Sequence, residues 1–157
     1  MVVAFINPLT VDQVVEPPKN AHITVKKKFK LLDIDESELI NMLQSEIGTQ
    51  KGIELNLGDI KDYDSDNNRV IEVLNPSPWI SLHNKIMECL VLHSESRDSH
   101  FEGINYYPHV TWKLKGIKML DPKPLVNTSH KINKLYLIQR IHPKISRAKI
   151  ITRFDLI

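Results

Sequence analysis

The chain of 157 residues holds one cysteine, Cys89. With no second thiol to pair, a disulfide framework is excluded, and a reducing cytoplasm is the compartment to expect. Long apolar runs are missing too. Nothing approaches the roughly eighteen consecutive apolar residues of a membrane-spanning helix. The N-terminal apolar stretch has no charged residues before it and stops at Asn7-Pro8, so no secretory leader is predicted. The sequon Asn127-Thr128-Ser129 then carries no meaning. Net charge is small: 21 Lys and Arg against 19 Asp and Glu leave +2, which excludes bulk polyanion binding. Any nucleic-acid contact has to come from a local patch, and the densest is Lys26-Lys27-Lys28 with Lys30. The same lysines would equally guard an exposed edge strand. Convincing metal-ligand spacing is also lacking. Asp62, Asp64 and Asp66 imitate a calcium loop, but Asn67 stands where such a loop needs Gly and Val73 where it needs the bidentate Glu. The segment reads as a polar turn, and no metal or cofactor is expected.

What is present is a repeated strand. In Tyr106-Tyr107-Pro108-His109-Val110-Thr111-Trp112-Lys113, alternation puts Tyr107, His109, Thr111 and Lys113 on one face and Val110 and Trp112 on the other. The same arrangement occurs earlier, where His22, Thr24, Lys26 and Lys28 share one face and Ile23 and Val25 the opposite one. A lone His-x-Thr is expected by chance in a chain with seven histidines. Two strand-like copies of His-φ-Thr-φ-Lys, where φ is apolar, are a stronger signal. They suggest two half-structures related by a pseudo-two-fold axis, each lending one His and one Thr to a shared site. A purely structural use of both strands remains the bland alternative.

The pair HITV (22–25) and HVTW (109–112), with Pro108 directly before the second His, resembles the two-histidine phosphoesterase superfamily. That superfamily includes 2′-5′ RNA ligase-like proteins and 2′,3′-cyclic nucleotide phosphodiesterases. The resemblance implies a two-lobed, pseudo-symmetric α+β fold, with antiparallel sheets flanked by helices around a central cleft. It implies metal-free phosphodiester chemistry on a nucleotide or an RNA 3′-end, with His22 and His109 as the acid–base pair and Thr24 and Thr111 as phosphate clamps. Tyr107 is a candidate stacking surface for a base, and Lys26 and Lys113 are candidate contributors of positive potential at the substrate. Two other readings stay open. The chain would bind a nucleotide or RNA end without turnover, or would hydrolyse cyclic or 2′-5′ signalling oligonucleotides.

Taken in order, Val2 to Ile6 reads as a short buried strand, and Leu9 to Asn20 leads into a His22 strand running to about Leu32. Asp35-Glu36-Ser37-Glu38 starts a helix with the apolar stripe Leu39, Ile40, Leu43 and Ile47, ended at Gly48. Ile53 to Ile60 and Arg69 to Leu74 read as a hairpin. A second helix is predicted from Trp79 to Leu92, burying Trp79, Leu82, Ile86, Met87 and Leu90. His83 lies within that face and is expected to be a satisfied core histidine, with Cys89 packing at its border. Ser94 to Asn105 reads as a surface loop, from which Arg97 and His100 would reach a substrate only if the loop borders a cleft. Ile132 to Ile141 and Ala148 to Ile157 read as a closing hairpin joined through His142-Pro143. No long linker interrupts residues 1–157, so one domain is expected.

Overall fold

The N-terminal apolar run forms a strand, β1 (Val2–Phe5), that is buried on both sides in the computed structural model of the chain. The structure describes all residues except 65, 98, 143 and 144, and the side chain at 145. Val2 and Ala4 enter one apolar cluster and Val3 and Phe5 a second, which is why this strand lacks the usual polar alternation. A two-residue strand, β2 (Val14–Val15), follows, and then β3 (His22–Lys26). The long strand expected from His22 is interrupted here. After Lys26 the chain leaves the main sheet, and β4 (Phe29–Leu31) pairs elsewhere.

Helix α1 (Glu36–Ile47) begins where the acidic cluster predicts. The Asp35 carboxylate accepts from the Glu38 N–H and the Glu38 carboxylate from the Asp35 N–H, both at 2.9 Å, so two amide groups left open by the helix are satisfied. Leu39, Leu43 and Ile47, one turn apart, form its buried stripe. The hairpin of β5 (Ile53–Asp62) and β6 (Arg69–Val73) also matches expectation. In its turn the Asp64 carboxylate accepts from the Asp66 N–H and the Asn68 amide, so its oxygens serve the turn itself. Helix α2 (Pro76–Leu90) starts three residues earlier than predicted, because Pro76 is pre-shaped for a first helical turn. The short β7 (Ser94–Ser96) pairs with β4 in a small separate sheet. The remaining strands are β8 (His109–Leu114), β9 (Ile117–Lys118), β10 (Ser129–Ile132), β11 (Lys134–His142) and β12 (Ile145–Asp155). The closing hairpin is β11 with β12; Pro143, placed at its joint by the sequence, lies outside the described residues.

The main sheet runs β10-β5-β6-β8-β3-β1-β11-β12-β2, with β9 beside β8, and its described pairings are all antiparallel. Residues 87 positions apart therefore meet at its middle, where β3 and β8 pair at Ile23 and Val110. Both of those side chains are fully buried under the helical layer, with Leu39 and Leu43 of α1 and Leu82 and Ile86 of α2 in the same cluster. The opposite face carries the smaller cluster of Val3, Phe5, Tyr136, Ile138 and Ile150, and beside it the sheet is open. The fold is thus α+β, with helices on one face and a cleft on the other.

Candidate active site

Because Ile23 and Val110 point to the helices, the residues on either side of them point to the open face. His22, Thr24, His109 and Thr111 all line one cleft of about 680 Å³ there. In an antiparallel ladder registered at Ile23 and Val110, Thr24 stands across from His109 and His22 across from Thr111. The two motifs are therefore brought together by strand pairing alone.

Alternation then fails at the same place in both strands. Val2 pairs with Lys26 and Val3 with Thr24, so β3 carries one extra residue, Val25, just after its Thr. Arg69 pairs with Lys113 and Val70 with Thr111, so β8 carries Trp112 as its extra residue, also just after its Thr. Each bulge reverses the side to which the following residues point. Lys26, expected in the cleft, is instead buried behind it and ion-paired with Glu102 at 2.5 Å. Lys113 is likewise carried off the cleft lining, and Leu114 takes its place. The cationic groups that do line the cleft from this region are Lys27 and Lys28.

The two imidazoles are held in the same way. Nδ1 of His22 lies 2.7 Å from the Asn20 carbonyl, and Nδ1 of His109 lies 2.7 Å from the Tyr107 carbonyl. A carbonyl only accepts, so each Nδ1 carries a proton and donates, which in the neutral ring leaves Nε2 with its lone pair. Burial holds His22 below the ordinary histidine range. Burial also lowers His109, to about 4, helped by the positive charges of Lys27 and His22 and opposed by the carbonyl bond. Phe5 packs 5.7 Å from the His22 ring, and Tyr63 lies 4.5 Å from the His109 ring. Tyr107 lines the cleft as expected, stacked 6.0 Å from His109 and 6.4 Å from Tyr63.

Other histidines stand apart. His83 is fully buried; its Nδ1–H donates to the Val25 carbonyl at 2.7 Å and its Nε2 accepts the Gly103 N–H at 3.0 Å. Its ring stacks on Tyr106 at 4.0 Å, which makes it the core histidine the helical pattern predicts. His100 packs on the Phe101 ring at 3.9 Å and is not part of the cleft wall, whereas Arg97 is.

Several cleft residues escape sequence reasoning: Tyr63 at the end of β5, Phe101, and Arg140 and Arg147 on the β11–β12 hairpin. Nothing in the local pattern connects them with the His motifs, and only the sheet order brings them near. Lys27, Lys28, Arg97, Arg140 and Arg147 all contribute to the wall, and among the described lining residues none is Asp or Glu. Such a surface, walled by aromatic rings and containing two imidazoles and two hydroxyls, suits an anion attached to a flat ring system.

No family model matches the sequence, and no curated protein matches it. Solved structures do. A phosphoesterase aligns with a TM-score of 0.56 at 19% identity, covering 87% of this chain and 76% of that one. LigT of E. coli, complexed with NADP+, aligns with a TM-score of 0.53 at 19% identity and the same coverage of both chains. The same enzyme complexed with 3′-AMP gives 0.52 at 18% identity, again covering 87% of this chain and 76% of that one. The chain therefore has the α+β fold of the LigT-like phosphoesterases.

Proposed function

We propose that this protein is a phosphodiesterase that opens 2′,3′-cyclic phosphates or cleaves 2′-5′ linkages of nucleotides or RNA ends by acid–base catalysis between His22 and His109. The observation that carries this reading is the pair of matching Nδ1–H bonds to carbonyls two residues upstream, which leave two Nε2 atoms available in one cationic cleft. In-line displacement at phosphorus needs a base for the incoming oxygen and an acid for the departing one. His109, whose pKa burial lowers to about 4, takes the proton from water as the P–O bond to water forms. Protonated His22 delivers its proton to the ribose oxygen as the P–O bond to that oxygen breaks. The Thr24 and Thr111 hydroxyls donate to the non-bridging oxygens, whose charge grows in the transition state. Tyr107 and Tyr63 supply the stacking surface for a base. The complexes of LigT with NADP+ and 3′-AMP support a nucleotide as the ligand class.

A turnover panel tests the reading: 2′,3′-cyclic mononucleotides, 2′-5′ oligoadenylate, cyclic oligonucleotides and ADP-ribose 1″,2″-cyclic phosphate. Hydrolysis of at least one, abolished by His22→Ala and by His109→Ala, is the expected result. Binding of these compounds without turnover of any would make the protein a nucleotide binder instead.

A further inference from the structure

Behind the cleft, Lys26 and Glu102 face each other with side chains only 1% and 3% exposed. The ammonium donates to Oε1 of Glu102 and to Oγ of Ser96, and the Ser96 hydroxyl donates to Oε2 of Glu102 at 2.6 Å. Removing two charges from water costs about as much as their attraction returns, so an apolar pair of equal volume would serve stability equally well. The ion pair adds direction. One placement of the segment satisfies the ammonium, the hydroxyl and both carboxylate oxygens together.

The segment so placed is 96–106, and its other ties reach the same strand. The Arg97 N–H donates to the Lys28 carbonyl at 3.1 Å, and the Tyr106 hydroxyl donates to the Thr24 carbonyl at 3.0 Å. The Gly103 N–H meets His83, which is itself bonded to the Val25 carbonyl. Ser96 and Glu102 bracket Arg97 and Phe101, and among the described residues of the bracket these two line the cleft. A loop that merely joined α2 to β8 would need no buried ion pair. This one is registered, through Lys26, on the strand that carries His22 and Thr24.

We propose that Arg97 is an additional anion-binding group of the site, donating its guanidinium to a phosphate oxygen of the ligand, and that Lys26, Glu102 and Ser96 are positioning residues that set it against Thr24. The inference rests on the phosphoesterase reading only for the identity of the anion. It is tested by binding, independently of turnover, through calorimetric titration of the full chain with adenosine 3′-monophosphate.

Arg97→Ala should weaken binding about tenfold, the usual loss for one charge-assisted hydrogen bond. The apolar exchange Lys26→Met with Glu102→Leu should keep or raise the melting temperature, yet weaken binding by a similar factor. Adding Arg97→Ala to that exchange should weaken it no further, because the guanidinium is already misplaced. If the exchange does not fold, Ser96→Ala, which removes one bond of the network, should weaken binding about threefold. Undiminished affinity in Arg97→Ala, full additivity with the exchange, an unaltered Ser96→Ala, or no binding by the wild type each overturns the proposal. Wild-type binding without hydrolysis of any phosphodiester would count against the phosphoesterase reading alone.

Discussion

Thr24 and His109 stand opposite each other across the β3–β8 ladder, one residue from the Ile23–Val110 pair, and His22 and Thr111 stand opposite each other on its other side. Each imidazole thus has the other motif's hydroxyl as its cross-strand neighbour, about 5 Å away between Cβ atoms. A phosphoryl group placed over this seam would meet both imidazoles and both threonine hydroxyls at once. The antiparallel register creates that arrangement without help from any loop.

If the two histidines act as one couple, His22→Ala or His109→Ala should each lower kcat by about 10²–10⁴. The double variant should be scarcely worse than the poorer single one, since groups that act as a unit are not additive. Single-turnover rates on a 2′,3′-cyclic nucleotide make the comparison. Near-normal rates in both single variants would leave the paired motifs with a structural role only.

Both imidazoles lie below the ordinary histidine value of about 6.5, with His109 near 4. With His109 as base and His22 as acid, kcat/KM rises as pH climbs through the His109 value and falls as pH passes the His22 value. The maximum therefore belongs on the acid side of 6.5. A bound phosphodiester anion favours protonated imidazole, so both limbs of the kcat profile should move to higher pH. His109→Ala should lose the acid limb and His22→Ala the alkaline one. A kcat/KM optimum above about pH 8 contradicts this assignment.

Thr24→Val and Thr111→Val should each cost about 1.5–3 kcal/mol of transition-state stabilisation, roughly ten- to a hundredfold in kcat/KM. The fold should tolerate both, because valine suits a strand and matches threonine in volume. Unchanged kcat/KM in either variant, with an unchanged melting temperature, would assign that hydroxyl to structure.

His83→Leu offers the contrast. It leaves the Val25 carbonyl and the Gly103 N–H without their partner, a loss of about 1–3 kcal/mol for each buried group. Urea unfolding should show the loss, while the shape of the pH–rate profile stays as in the wild type. Burial holds the His83 pKa below its ordinary value, so the folded state disfavours its charged form. The stability tied to that neutral ring is present above about pH 6.5 and is lost as pH falls below it. Part of the wild type's acid sensitivity should therefore disappear in His83→Leu. An altered pH–rate profile would instead implicate His83 in the chemistry.

Strand alternation was enough to put His22, Thr24, His109 and Thr111 on polar faces, because a side chain's direction within an undisturbed strand is a local property. Helical spacing was likewise enough to bury Leu43, Ile86 and His83. The capping residues Asp35 and Glu38 marked the start of α1, since their hydrogen bonds span only three positions. Which strands become neighbours is another matter. The pairing of β3 with β8 joins residues 87 positions apart at Ile23 and Val110, and its register follows from the whole sheet order. The two bulges, at Val25 and Trp112, exist only relative to the partner strands β1 and β6, so extrapolating alternation placed Lys26 and Lys113 wrongly. Tyr63, Arg97, Arg140 and Arg147 join the cleft because distant elements converge on one face. Residue identity determined what chemistry is available, and long-range packing decided which side chains meet, because no local period encodes the register between strands that chain sequence holds far apart.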